Sequence, residues 1–318
     1  MTSAPARSAP PALLPGMQVL ERGWLSSNNV LFEEGDRLSV VDTGYASHAR
    51  LTAALIDRAG GGRRLARIVN THLHSDHVGG NARLARGGGV SIRIPAGAAD
   101  AVLAWDVERL GYRATGQRCP RFDFDGLFRS GDVMELGGRP WQALAAPGHD
   151  PHMLMLFQRQ GRILVSGDAL WEDGFGAIFP ELEGEPGLAD QRRTLDLIAG
   201  MKPLLVIPGH GAPFCEVDAA LRRAYQRLDA LQSSPQRNAR HVLKVLVKFW
   251  LLQVGQTTLG RLVEHFSRAR YPRIVHERYF PDLAYEAMFE RTLWQLCASG
   301  AAVRDGSHFR NADGGAAR

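Results

Sequence analysis

Cysteine is nearly absent: 318 residues carry three, Cys119, Cys215 and Cys297, an odd number with no CxxC pair among them. This argues against a disulfide framework and against the thiolate set of a structural zinc site, and it fits a reducing compartment. Long hydrophobic runs are missing as well, so no stretch of about 20 apolar residues is available to span a bilayer. The N-terminal segment MTSAPARSAPPALLPG has only Ala12-Leu13-Leu14 as an apolar core, too short for a secretory leader. There is no block of like charge either. The net charge of +5 comes mostly from dispersed arginine, which describes a solvated basic surface better than a nucleic-acid tract. These absences predict a cytoplasmic protein with no membrane partner, and residues 1–16 are expected to form a loose tail.

What is present suffices for a large core. With 45% hydrophobic residues, the chain can build a catalytic unit of about 200 to 230 residues and a smaller appendage. From Met17 onward short apolar runs alternate with helical stretches, the pattern of an α/β fold. Leu38–Val41, Leu65–Val69, Trp141–Ala145, Met153–Phe157, Ile163–Val165 and Leu204–Ile207 read as strands, and Ala49–Ala59 and Asn81–Arg86 as helices. The strands ending at Val41, Val69, Ala145, Val165 and Ile207 are each followed by a polar cluster containing His or Asp. One face of a sheet therefore gathers candidate ligands.

The densest cluster is NTHLHSDHVGG, residues 70–80. His72 and His74 are two apart, so on an extended segment both side chains point the same way and can reach one ion. The turn that follows is free to aim Asp76 and His77 at a second. Imidazole with carboxylate suits zinc or a similar first-row ion. Because one metal needs about four ligands, the cluster requires partners further along, and His149, Asp168 and His210 qualify, each on a Gly-containing turn after a strand. Packing gives no reason to place three imidazoles in one turn, whereas His48, His241, His265, His276 and His308 read as ordinary surface or core histidines.

THLHSDHVGG, with VDTG at 41–44, PGH at 147–149, SGDAL at 166–170 and PGHG at 208–211, resembles the metallo-β-lactamase fold superfamily, with its motifs in order from roughly Met17 to Ala230. The resemblance implies an αββα sandwich over residues 17–232. It implies that His72, His74 and His149 bind one metal, that Asp76, His77 and His210 bind a second, and that Asp168 bridges them. Zinc is the expected metal, with iron and manganese as alternatives. Such a pair lowers the pKa of a shared water and polarises the substrate's carbonyl or phosphoryl oxygen, so that the adjoining carbon or phosphorus is open to attack. Asp76 would orient that nucleophile and shuttle its proton, and Asp42 would brace the metal loop from behind. Many relatives carry a histidine four residues after the PGH histidine; here Met153 stands there and His152 one place earlier, so His152 is expected behind the ligands or in the pocket wall. An aspartate at 168 resembles the glyoxalase II, lactonase and nuclease branches, whereas the antibiotic-hydrolysing β-lactamases often have cysteine at that position.

Substrate is not written in a motif. Trp171, Phe175 and Phe179, on a glycine-rich loop after Asp168, are candidates for the wall of an apolar pocket, with plain core as the alternative. Residues 233–318 read as three helices, Ala239–Gln253, Thr258–Ala269 and Asp282–Ser299, and a hairpin turning at Asp305-Gly306, together a winged-helix-like module. That module resembles the C-terminal domain of the lactamase-β-like-2 proteins, which cut single-stranded RNA. From Pro235 it holds 13 Lys and Arg against 7 Asp and Glu, without the interleaved aromatics of a strand-tracking surface. The sequence thus predicts a dinuclear hydrolase of a small ester, thioester or lactone. The alternatives are an RNA phosphodiesterase and a metal-binding regulatory protein with little turnover. A second copy of the chain is a candidate partner.

Overall fold

The computed structural model describes residues 13–312. Of the expected tail, residues 1–12 lie outside the described residues; Leu13 and Leu14 pack against the core just before the first strand.

Two sheets form the body. The first has six strands in chain order: β1 (Met17–Leu20), β2 (Asn29–Glu34), β3 (Arg37–Val41), β4 (Arg64–Val69), β5 (Ser91–Pro95) and β6 (Gly126–Phe128). β1 to β3 form an antiparallel meander, and β3 to β6 run parallel. The second comprises β7 (Val133–Leu136), β8 (Arg139–Ala145), β9 (Leu154–Gln158), β10 (Ile163–Gly167) and β11 (Leu205–Pro208). Its strands are antiparallel except for the β10–β11 pair.

The period-2 side-chain alternation of strands decides what lies where. Leu154, Leu156, Ile163, Val165, Leu205 and Ile207 turn inward against Val30, Phe32, Val41 and Val69 of the first sheet, around a fully buried Trp141. The intervening Met155, Phe157, Leu164 and Val206 face outward and are covered by α6 (Gly187–Met201) and α7 (Val217–Gln232). On the other side Leu31, Leu38, Val40, Ile68, Ile92 and Ile94 meet α1 (Ala49–Gly60), α2 (Ser75–Val78), α3 (Asn81–Leu84), α4 (Ala99–Ala104) and α5 (Tyr112–Thr115). The result is the expected αββα sandwich, in which strands buried on both faces read as apolar runs.

The C-terminal region departs from three helices and a hairpin. It has four helices, α8 (Pro235–Val254), α9 (Leu259–Phe266), α10 (Arg270–Tyr279) and α11 (Tyr285–Ala298). A short β12 (Gln256–Thr258) joins the hairpin β13 (Ala302–Asp305) and β14 (His308–Asn311) into a three-stranded sheet. Because Asp305 pairs with His308, the hairpin turns at Gly306-Ser307. The long helix expected over 258–269 stops at Phe266, and α10, which starts with Pro272 in its first turn, follows as a separate helix. These helices share one core with Ala114, Ala177, Phe179 and Leu182 of the preceding chain, so α8 is fixed over the strand ends of the sandwich.

Candidate metal centre

The strand ends deliver the side chains that the motifs single out. β4 runs into the loop bearing His72 and His74 and then into α2 with Asp76 and His77; the loop after β8 carries His149, that after β10 Asp168, and that after β11 His210. Three groups of ligand atoms gather within 4.8 Å: His72, His74 and His149; His72, His77 and Asp168; Asp76, His77 and His210.

Hydrogen bonds fix the tautomers. His149 Nδ1 lies 2.6 Å from the carbonyl of Ala177, so it carries the proton and leaves Nε2 bare. Thr71 Oγ1 donates to Asp42 Oδ2 and therefore accepts from His72 Nδ1 at 3.1 Å, which leaves His72 Nε2 bare as well. These two nitrogens converge on His74 Nδ1, at 2.7 and 3.1 Å. The other nitrogen of His74 leans toward Asp150 Oδ2 at 3.9 Å. Three imidazole nitrogens thus meet at one point, two of them with lone pairs free, and a cation fits there.

The second half is built alike. His77 donates Nδ1–H to Asp42 Oδ2 at 2.7 Å, and its Nε2 is buried with no hydrogen-bond partner, 3.4 Å from Asp168 Oδ1. His210 Nε2 faces Asp76 Oδ2 at 3.1 Å. Electrostatics follow from burial and neighbours. Burial, helped by the neighbouring imidazoles, holds His72 well below its ordinary value, and His74 and His149 are pushed down to about 4, again by burial first. At His77 burial opposes the charged form, but Asp168 and Asp42 outweigh it and hold the group well above its ordinary value. Asp168 thus draws positive charge toward His77 Nε2, a place that a metal ion fills as well as a proton. Asp168 itself, despite burial, is held well below the carboxylate range by His77, His210 and His149. The donor set is rich in neutral imidazole and anionic carboxylate, which suits zinc, iron or manganese.

Asp42 sits directly behind this cluster. Its Oδ1 accepts the backbone N–H of Thr71 at 2.9 Å, and its backbone adopts φ 59°, a left-handed conformation that aspartate tolerates better than most residues. Gly209 is required by close approach: a Cβ there would stand 2.2 Å from Asp168 Oδ1.

Not every singled-out residue joins the cluster. His152 is exposed, its ring packed on Gly97, and with Asp150 it lines a neighbouring cleft that His74, His149 and Phe179 also border. Trp171 donates Nε1–H to Asp168 Oδ1 at 3.2 Å, and Trp171 and Phe179 line a cavity of about 400 Å³ that opens from His74, Asp76, His149, Asp168 and His210. Phe175, grouped with them from the sequence, is fully buried in the core under the guanidinium of Arg227, 4.9 Å from its ring, and does not line that cavity. The cavity also has walls that no motif signalled: Trp24, Gln117 and, from α8, His241, Lys244, Lys248 and Phe249. Trp24 stacks on His210, with ring centroids 5.6 Å apart and planes 9° from parallel. Asp150, the residue after the PGH motif, was legible by adjacency alone.

A family model described as the metallo-beta-lactamase superfamily matches residues 22–210. The chain is 26% identical over 215 residues to the acyl-coenzyme A thioesterase of Gallus gallus, covering 60% of this chain and 76% of that one. It is 30% identical over 179 residues to the hydroxyacylglutathione hydrolase of Ectopseudomonas mendocina, 56% of each chain, so little more than half of that enzyme's length is matched. Among solved structures, a metallo-beta-lactamase family protein of Thermus thermophilus superposes with a TM-score of 0.55 at 22% identity, covering 94% of this chain and 100% of that one. A beta-lactamase domain protein of Burkholderia ambifaria gives 0.54 at 22% identity, covering 96% of each. The last two are likenesses of fold.

Proposed function

Since the chain belongs to the metallo-beta-lactamase superfamily, we propose that it is a metal-dependent hydrolase of a small acyl compound, with a thioester ahead of an ester or lactone. The observation that carries this reading is the convergence of ring nitrogens of His72, His74 and His149 beside a largely apolar cavity. In this reading His72, His74 and His149 hold one divalent ion, Asp76, His77 and His210 a second, and Asp168 lies between them, with zinc expected. Two ions bound there supply Lewis acidity, making water a nucleophile near neutral pH and polarising the acyl carbonyl.

The protein's own groups do the rest. Asp76, hydrogen-bonded to His210, is placed to orient the attacking water and to carry its proton toward the leaving group. Its carboxyl is held below the ordinary range by that His210 hydrogen bond and by His77, against the effect of burial, so it enters the reaction as the base. Asp42 keeps His77 in the Nδ1–H tautomer and pins the loop through Thr71. Trp24, Trp171 and Phe179 flank the reacting centre and keep bulk water from it. Residues 17–232 constitute the catalytic unit in this account, and residues 233–318 a module that completes the substrate wall. The names of two relatives, an acyl-coenzyme A thioesterase and a hydroxyacylglutathione hydrolase, support an acyl substrate.

A second reading, a phosphodiesterase acting on RNA, is favoured by one observation. A basic cleft lined by Arg113, Arg118, His265 and Arg268 adjoins the cavity, with Gln117 in the walls of both. The test is metal analysis of protein purified without chelator, which should find about two ions per chain, joined to assays on a thioester, a lactone, an aryl phosphodiester and single-stranded RNA. Less than one ion per chain, or turnover unchanged in His72→Ala, removes the hydrolase reading.

A further inference from the structure

The two oxygens of Asp168 stand in different surroundings. Oδ1 lies 3.4 Å from His77 Nε2, whereas Oδ2 lies 3.4 Å from His149 Nε2 and 3.9 Å from His210 Nε2. Only Oδ1 is held by a hydrogen bond: among the described residues the carboxylate accepts a single one, from the indole N–H of Trp171 at 3.2 Å. The direction of that bond is unambiguous, because an indole nitrogen donates and has no lone pair to offer.

The donor is itself fixed in place. The backbone N–H of Trp171 donates to the carbonyl of Gly174 at 2.7 Å, and that of Gly176 returns to the carbonyl of Asp168 at 2.9 Å, so the loop after β10 closes on the aspartate it follows. The Trp171 ring meets Trp24 edge-on at 5.3 Å and His210 edge-on at 5.5 Å. Such restraint matters for an aspartate, whose carboxylate torsion has a broad preference and would otherwise let the group turn. Turned freely, both oxygens could serve one side of the cluster. An apolar cavity wall has no use for the nitrogen either, since a hydrocarbon ring would cover the same surface. The N–H therefore calls for an explanation that the wall does not provide.

We propose that Trp171 is a positioning residue for Asp168, its indole N–H locking the carboxylate so that Oδ1 serves the His77 side and Oδ2 the His149 side. In that orientation Asp168 joins two ions and does not chelate one. The inference rests on the two-ion reading given above and deepens it: occupancy of one of the two places depends on a side chain with no lone pair for a cation.

Trp171→Phe keeps an aromatic ring in the wall and deletes the N–H. Calorimetric titration of zinc into the full chain, stripped of metal with chelator, should find about two ions in the wild type by the ligand count. In Trp171→Phe one ion should be held as before and the other bound roughly ten to a hundred times more weakly, the range for loss of a ligand's hydrogen-bond partner. The unfolding midpoints of the two metal-free proteins should coincide. In a proton–nitrogen correlation spectrum the indole signal missing from Trp171→Phe belongs to Trp171, and in the wild type it should move as zinc fills the weaker place. Unchanged affinity for both ions in Trp171→Phe, or an indole signal that stays put at saturating zinc, overturns the inference. Equal weakening of both ions together with a lower metal-free midpoint also overturns it, leaving Trp171 a packing residue. A wild-type chain that takes up one ion removes the two-ion reading and the inference with it, whereas two ions in the wild type, held equally well by Trp171→Phe, remove the inference alone.

Discussion

Asp42 receives the Nδ1–H of His77 at 2.7 Å while the same carboxylate holds the backbone and hydroxyl of Thr71. One side chain from the end of β3 thus sets both the tautomer of His77 and the shape of the loop that carries His72 and His74. Asp42→Asn keeps the left-handed backbone, which asparagine also tolerates, and keeps an acceptor for Thr71. It should fold normally yet bind metal about 10 to 100 times more weakly. Metal content after dialysis against a graded chelator, set beside the thermal midpoint, checks this; a loss of fold in step with the metal would assign Asp42 a structural role only.

Gly209 is the residue whose side chain has no room. A methyl group there meets Asp168 Oδ1 at 2.2 Å and His77 Cε1 at 2.8 Å. Gly209→Ala should displace Asp168 by a fraction of an ångström and cost about a hundredfold in kcat/KM, with less than two ions retained per chain. Gly211→Ala offers a control two residues away: nothing lies within 4 Å of its Cβ, although its φ of +86° adds a small stability cost.

The stability of the chain should fall on mild acidification through His241, a group outside the proposed ligand set whose Nε2 accepts an N–H of Arg227. Burial first, then Arg227 and Lys244, push the pKa of His241 down to about 3. In the unfolded chain a histidine titrates near 6.5. Its folded value is therefore the lower one: above pH 6.5 neither state binds the proton, and between there and about 3 only the unfolded state does, so stability declines as pH falls through that window. At pH 5 this one group costs about 2 kcal/mol relative to pH 7.5. His241→Gln keeps an acceptor for Arg227 and should shrink the difference between urea midpoints at the two pH values. His265, lowered to about 4 chiefly by burial and then by Arg118, adds in the same direction.

Trp24 is 49% exposed, so its removal should spare the fold. It stacks on His210 and meets Trp171 edge-on at 5.3 Å. Trp24→Ala should raise KM by roughly threefold to tenfold, the worth of an aromatic contact of about 0.5 to 1.5 kcal/mol, with an unaltered unfolding midpoint. A drop in metal content instead would show that the ring holds His210 in place.

What the sequence disclosed depended on whether the signal was local. His72, His74, Asp76 and His77 lie within six positions, and His149, Asp168 and His210, the other residues of the cluster, stand on glycine turns after apolar strands, so residue type and neighbours sufficed to single them out. Strands such as β9 and β10 show as apolar runs because both of their faces are buried. By contrast β2, Asn29–Glu34, mixes polar ends with a three-residue apolar centre and takes its strand state from pairing with β1 and β3. The helix α10 has few apolar residues, and its burial rests on Tyr271, Pro272 and Val275 meeting a core drawn from distant segments. Phe175 and Phe179 are indistinguishable as residue types on one loop, and only the three-dimensional path puts one under Arg227 and the other in the cavity. Lys244 is illegible for the same reason: a lysine on a helix becomes part of a cavity wall only when that helix lies over the strand ends.

The arrangement of α8 divides the labour of the chain in a way that bears on its history. The groups proposed to do chemistry come from the loops of the sandwich, while the surface facing the rest of the ligand comes from a helix that shares its core with Ala177, Phe179 and Leu182. Substitutions at exposed-face positions of that helix can redirect the choice of substrate without touching a single imidazole. Exchange of the whole terminal module is another matter, since it would strip the packing from the loop that carries the Ala177 carbonyl and, through it, the proton on His149. Descent with new specificity is therefore open to this protein by point mutation and closed to it by recombination at the module boundary.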